Sequence, residues 1–169
     1  PEENITLSAT YRAMTSGVVL NRNELTFEVE QIRSGSRWNP QIGWKITEPQ
    51  KLTATVIPDS AANKTVYWSV RASDGGSTDV ISVSEQGEVT VNSSAAWIQE
   101  HIRAAVANQE LYPSKPITTN ASDYAAVTAT TEAGQKRASA FVTVNFKVTD
   151  HTVVPVSSVE LNQAELAFE

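Results

Sequence analysis

The 169-residue chain has no cysteine, one methionine and two histidines, and each scarcity removes a class of chemistry. Without cysteine there is no disulfide framework, no zinc–thiolate site and no thiol nucleophile. The two histidines, His101 and His151, stand apart from any group of Asp, Glu or His at metal-ligand spacing, so solvent-facing or capping roles are expected for them. No apolar run approaches the ~20 residues that a membrane-spanning helix needs. Cations are few and dispersed: 13 Lys and Arg stand against 19 Asp and Glu, a formal net charge of −6. Nucleic acid and anionic membrane surfaces are held by grouped cations, so neither is an expected partner. No G-x-S-x-G motif occurs, and the carboxylates are scattered over turns and strand ends. A serine hydrolase and a paired-carboxylate glycosidase therefore have no support in the sequence. No catalytic residue, metal or cofactor is assigned.

What is present is a globular composition with β patterning. Hydrophobic residues make up 40% and charged residues 19%, which fits a packed domain. Segments 52–57, 65–70, 80–84, 88–91, 124–130 and 138–148 are short, β-branched and alternating. Gln86-Gly87 and Ala133-Gly134 are placed to turn two hairpins, and 73–79 is turn-rich. Strands following strands, without regular helices between them, disfavour a parallel α/β sheet. One helix is expected at 95–111, where Ile98, Ile102, Ala105 and Val106 recur at helical spacing. Asn92, Ser93 and Ser94 are candidates to cap it, and Pro113 and Pro116 limit its far end. Segment 33–50 carries Gly35, Pro40, Gly43 and Pro49, and reads as irregular.

The chain repeats itself once. Residues 18–28 read VVLNRNELTFE and residues 159–169 read VELNQAELAFE, identical at seven of eleven positions across an offset of 141 residues. We take that offset as one period of an array. The expected organisation is the end of a preceding domain or linker at 1–16, with ITLSATY as its last strand, then a domain at 17–148. A linker follows at 149–157, and the first strand of a following domain at 158–169. A chain that starts at Pro1 with no initiator Met or signal peptide is expected to be a fragment or a processed product.

Taken in order, Val18–Leu25, Leu52–Pro58, Val66–Ser69, Val83–Val89, Ala125–Thr130 and Phe141–Val144 resemble the group 2 bacterial immunoglobulin-like (BIG2) domains. That family has V-x-L-N-x-x-x-L, L-x-A-x-V-x-P, V-x-W-S, V-S-x-x-G-x-V, A-x-V-T-A-T and V-T-V segments in the same succession. The resemblance implies an all-β immunoglobulin-like two-sheet sandwich, here with one inserted α-helix. It also implies tandem copies on the bacterial cell surface or in secreted proteins, a stalk or adhesin role, and no catalytic residues. A 141-residue period exceeds the ~100 residues of an ordinary immunoglobulin-like domain, and insertions at about 33–50 and 92–122 supply the excess. The expected core is Leu25, Phe27, Leu52, Val56, Val66, Trp68, Ile81, Val83, Val89, Val127, Phe141 and Val144, with Trp68 matching the family's core tryptophan.

Trp38, Trp44 and Trp97 all lie in the insertions. They read either as a platform for a glycan or a host protein, or as packing in which Trp38 and Trp44 lie against the helix carrying Trp97. The second reading is favoured, because an added helix must bury its apolar stripe somewhere. Asp74 and Asp79 flank Gly75-Gly76 but are two carboxylates where a calcium loop needs several, so a turn is expected. Asn-x-Ser/Thr triplets begin at Asn4, Asn63, Asn92 and Asn120 and read as chance in a Thr- and Ser-rich chain. The functional expectation is a non-catalytic spacer of a surface array, partnered by neighbouring immunoglobulin-like domains. A binding module built on the tryptophans is one alternative. A fibre or phage subunit completed by exchange of strand 159–169 is the other.

Overall fold

The computed structural model describes residues 13–111 and 116–152. The expected ITLSATY strand and the repeated strand from Val159 onward lie outside the described residues. Ten strands and one helix follow in order: β1 Gly17–Leu20, β2 Glu24–Ser36, β3 Asn39–Ile46, β4 Gln50–Lys51, β5 Ala54–Ile57, β6 Val66–Ala72, β7 Ile81–Val83, β8 Glu88–Val91, α1 Ala96–Leu111, β9 Thr119–Thr131 and β10 Arg137–Asp150. The protein is therefore mostly β, with several sheets and a single helix among the described residues.

The largest sheet runs β3-β2-β10-β9-β6 and is antiparallel except for the parallel pair β2–β10. Strict alternation fixes which side of it is wet. Leu25, Phe27, Val29 and Gln31 on β2, Ala125, Val127, Ala129 and Thr131 on β9, and Ala140, Val142, Val144, Phe146 and Val148 on β10 are all buried, while the residues between them are exposed or half-buried. On the other side of the core, β4-β8-β7 forms one sheet and β1-β5 another. These two are joined through the extended segment 50–57. There the Leu52 amide donates to the Gly87 carbonyl and the Asn21 amide to the Thr53 carbonyl. Leu52, Val80, Ile81 and Val89 from this side meet Phe27, Val127, Val144 and Phe146 from the large sheet in one cluster, to which α1 adds Ile98 and Ala105. Each fully buried Leu, Ile or Phe here is worth about 1.5–3 kcal/mol relative to exposure.

Two expectations need correcting. Segment 33–50 is not irregular: β2 continues to Ser36, turns at Arg37-Trp38, and returns as β3 in regular antiparallel register from Ser36↔Asn39 to Val29↔Ile46. Phe141 is not in the core but 65% exposed. Phe141 and Val144 differ by three positions, so a regular strand cannot turn both inward; the inward phase belongs to Val142, Val144 and Phe146. Val66, Trp68 and Val83 are only partly buried, Trp68 and Val83 being packed against the core.

The described chain enters and leaves at opposite poles. Ala13 bridges to Ala61, the Ser16 amide donates to the Ile57 carbonyl, and the Thr15 carbonyl abuts Gly134 in the β9–β10 turn. From that turn β10 runs 14 residues to Asp150, about 40 Å at strand rise. There the His151 amide donates to the Arg33 carbonyl at 2.8 Å. The helix closes the core near this exit pole: Trp97 sits edge-on to Phe146, with ring centroids 6.3 Å apart.

Candidate functional surface

The β2–β3 hairpin extends the inner face of the large sheet beyond the core. Paired residues in a ladder project to the same side, so Ile46, Trp44, Ile42 and Pro40 share a face with Val29, Gln31, Arg33 and Gly35. Ile46 still packs on the core. Further out the covering layer ends: Trp44 is 38% exposed and Ile42 45%, while Trp38 at the tip reaches 78%. The last β10 pair is Asp150↔Arg33, so Ser34 to Gln41 projects past the end of the neighbouring strand; this tip, together with Ile42 and Trp44 at its base opposite Arg33 and Gln31, is called the arm below.

The three tryptophans singled out in the sequence therefore divide. Trp97 lies on α1, half-buried against Phe146 and tilted over the His101 ring at 4.6 Å. Trp38 and Trp44 stand on the arm and do not join it, contrary to the favoured packing expectation. Ile42 and Pro40 belong to the same face as Trp44, N-P-Q-I-G-W-K-I placing an apolar residue at every second position. The turn-forming Gly and Pro masked that signal, since both residues are tolerated in a strand at a sheet edge. Beside the arm the Gln31 side-chain oxygen and the Nε atoms of Arg33 and Arg37 are shielded from solvent, with no hydrogen-bond partner among the described residues.

The remaining candidates have structural tasks. Asp79 caps α1 from 17 residues away, its Oδ2 accepting from the Ala96 amide at 2.8 Å. Asn92 orders the approach: its Oδ1 accepts from the Ser94 amide, and its Nδ2 donates to the Asp79 carbonyl. Asp74 Oδ1 accepts from the Gly76 amide within its own turn. His101 Nδ1 lies 2.9 Å from the Trp97 carbonyl one helical turn back. No cluster of three or more His, Asp or Glu suited to a metal ion occurs among the described residues.

Two small polar networks shift the ionisation of their members. Glu132 accepts from Asn63 Nδ2 at 2.7 Å and from the Tyr67 hydroxyl at 2.8 Å. Those bonds hold its carboxyl below the usual range and raise the Tyr67 phenol above its own. Glu30 is lowered by the Thr149 hydroxyl and then by Lys147. Both networks tie neighbouring segments together at the surface. A groove of about 570 Å³ runs beside Trp68 between Thr65–Trp68 and Val83–Gln86. Glu85 and Tyr67 are the ionisable side chains that line it. On the outer face of the large sheet, Phe141 and Tyr124 (48% exposed) occupy adjacent rows.

No family model and no curated protein matches the chain.

Proposed function

We propose that the chain carries one immunoglobulin-like module of an end-to-end array on the exterior of a bacterial cell, and that this module spaces or displays other elements without catalysing a reaction. The observation that carries the reading is the polar separation of entry and exit: Thr15 beside the β9–β10 turn at one end, His151 beside Arg33 at the other. A module that leads the chain in at one pole and out at the other extends the array by its full length. The 141-residue recurrence of the β1–β2 sequence supplies the period. The strand neighbours support the immunoglobulin-like assignment. With β4 and β5 taken as one strand, β1-β4/5-β8-β7 faces β10-β9-β6, and β2 switches across to pair parallel with β10. In this reading β3 and α1 are additions to the common sandwich.

The test is the native polypeptide. Mass spectrometry of protein shaved by protease from intact cells should recover peptides of this chain within a longer product that repeats the V-x-L-N-x-x-x-L strand. A product bearing one copy, or one protected until cells are lysed, overturns the proposal. A second reading, a binding module, is favoured by the exposure of Trp38 and Trp44 on one arm. Glycan or host-protein capture that is lost in a Trp38→Ser/Trp44→Ser variant of unchanged melting temperature would establish it.

A further inference from the structure

The arm is an apolar face whose position in the chain points to its occupant. It projects at the exit pole, and the departing chain is bonded to its base, His151 to the Arg33 carbonyl. Only six residues separate Thr152 from Val159, where the β1 sequence begins again. Seven residue steps reach at most about 25 Å. From Arg33 to the Arg37-Trp38 tip the arm itself extends about 15 Å at strand rise. Whatever folds from Val159 onward is tethered within reach of Trp38, Ile42 and Trp44.

The opposite pole carries matching apolar surface. Met14 is 84% exposed on the approach to β1, and Ile57, paired with Gly17 at the start of that strand, is 41% exposed. At the 141-residue offset Met14 corresponds to Pro155, so an apolar residue recurs at that place in the linker. We infer that the β2–β3 arm docks on the entry pole of the copy that follows it in the chain, making a stiff joint between consecutive modules. This rests on the array reading above. A short tether holds the two surfaces at high effective concentration, so a patch too small to recruit a free partner suffices. Interfaces between domains of one chain are commonly only about 600–1,500 Å². The chemistry of the arm agrees. A sugar platform sets accessible polar groups beside its rings, whereas Trp44 is flanked on its face by Ile42 and Ile46, and the nearby Gln31 oxygen is out of solvent.

A two-copy chain made by joining residue 158 to residue 18 preserves the native period, and the present chain serves as its single-copy reference. Hydroxyl-radical footprinting reads the oxidation of Trp38 and Trp44, and small-angle scattering reads the spread of end-to-end lengths. Docking predicts that oxidation of both tryptophans falls to half per copy, because one of the two arms gains a follower, and that the length distribution is narrow. A Trp38→Ser/Ile42→Ser variant should restore Trp44 oxidation and broaden the distribution, while the single-copy melting temperature stays unchanged. Equal oxidation in one- and two-copy chains, with both copies folded, overturns the docking and leaves the array intact. Glycan binding by that still-exposed arm would have the same meaning. A second copy that fails to fold in tandem removes the array reading itself. Protection that depends on protein concentration assigns the arm to a separate chain and also overturns the inference.

Discussion

Replacing Gly87 by alanine tests the strand arrangement at its tightest point. Gly87 closes the β7–β8 turn at φ +78°, and its carbonyl accepts from Leu52, the residue that links β4 to β5. A Cβ there would press on the Leu52 carbonyl oxygen and lie 2.8 Å from Trp68 Cζ2. The left-handed backbone costs an L-residue about 1–2 kcal/mol. Overpacking against the Leu52 backbone and the half-buried Trp68 indole adds about 1–3 kcal/mol. Gly75 is the control: its φ is +84°, yet nothing lies within 4 Å of the added carbon. Gly75→Ala should therefore show the backbone cost alone, about 1–2 kcal/mol, and Gly87→Ala about 2–5 kcal/mol. Urea titrations followed by tryptophan fluorescence measure both, with equal m-values showing that the unfolded reference is unchanged. Two equal losses would refute the close approach of the turn to Leu52 and Trp68, and with it the junction between the two smaller sheets.

Phe141→Ser should cost no more than about 0.5 kcal/mol, whereas Phe146→Ala, five positions along the same strand but fully buried, should cost about 3–5 kcal/mol; thermal melts of the pair decide the inward phase of β10. Asp79→Ala removes the cap on the Ala96 amide and should cost about 0.5–2 kcal/mol, with loss of helical circular dichroism but little change in strand signal. Asp150 has a pH signature. Partial burial, its largest single influence, would raise its carboxyl, but the amides of Ile117 and Thr152, with the Arg33 charge, together hold it below the usual range. A depressed native value means stabilisation that is present above the ordinary carboxylate pKa and lost as pH falls through the native one. Asp150→Asn should thus destabilise at neutral pH, and the gap from wild type should close on acidification; a gap constant with pH would contradict the ion's role.

Most of the strand content was legible because a sheet with one dry face writes its period into the sequence. Leu25-x-Phe27-x-Val29 and Val142-x-Val144-x-Phe146 are readable without coordinates, and so are the turns at Gly87 and Gly134. The apolar stripe on α1 was equally plain. Its cap was not: Asn92, Ser93 and Ser94 are the local candidates, but the helical amide of Ala96 is satisfied by Asp79 from the far side of the β7–β8 hairpin, a contact no local window contains. Phe141 was misplaced because matching it to a segment that also contains Val144 ignored the parity of the strand.

The β2–β3 arm shows a different limit. Its alternation from Pro40 to Ile46 was present in the sequence, but Gly35, Pro40, Gly43 and Pro49 suggested a loop, and a loop gives tryptophans no fixed face. Once the segment is a hairpin, ladder geometry places Trp44 and Ile42 on the inner side of the sheet, on the same face as Val29 and Gln31. A strand pair that keeps core-type residues on its inner face past the end of its own core presents the surface that the proposed docking would cover. Scattered exposed apolar residues need no such explanation, and Phe141 and Tyr124 on the outer sheet face are of that kind. The distinction lies in continuity: Ile46, Trp44 and Ile42 prolong a buried row outward to the place where the chain departs, whereas Phe141 interrupts a polar row of Ser139, Thr143 and Asn145. For that reason the proposed joint between modules, and not the flat face of the sheet, is where loss of an exposed aromatic should change the behaviour of the proposed array.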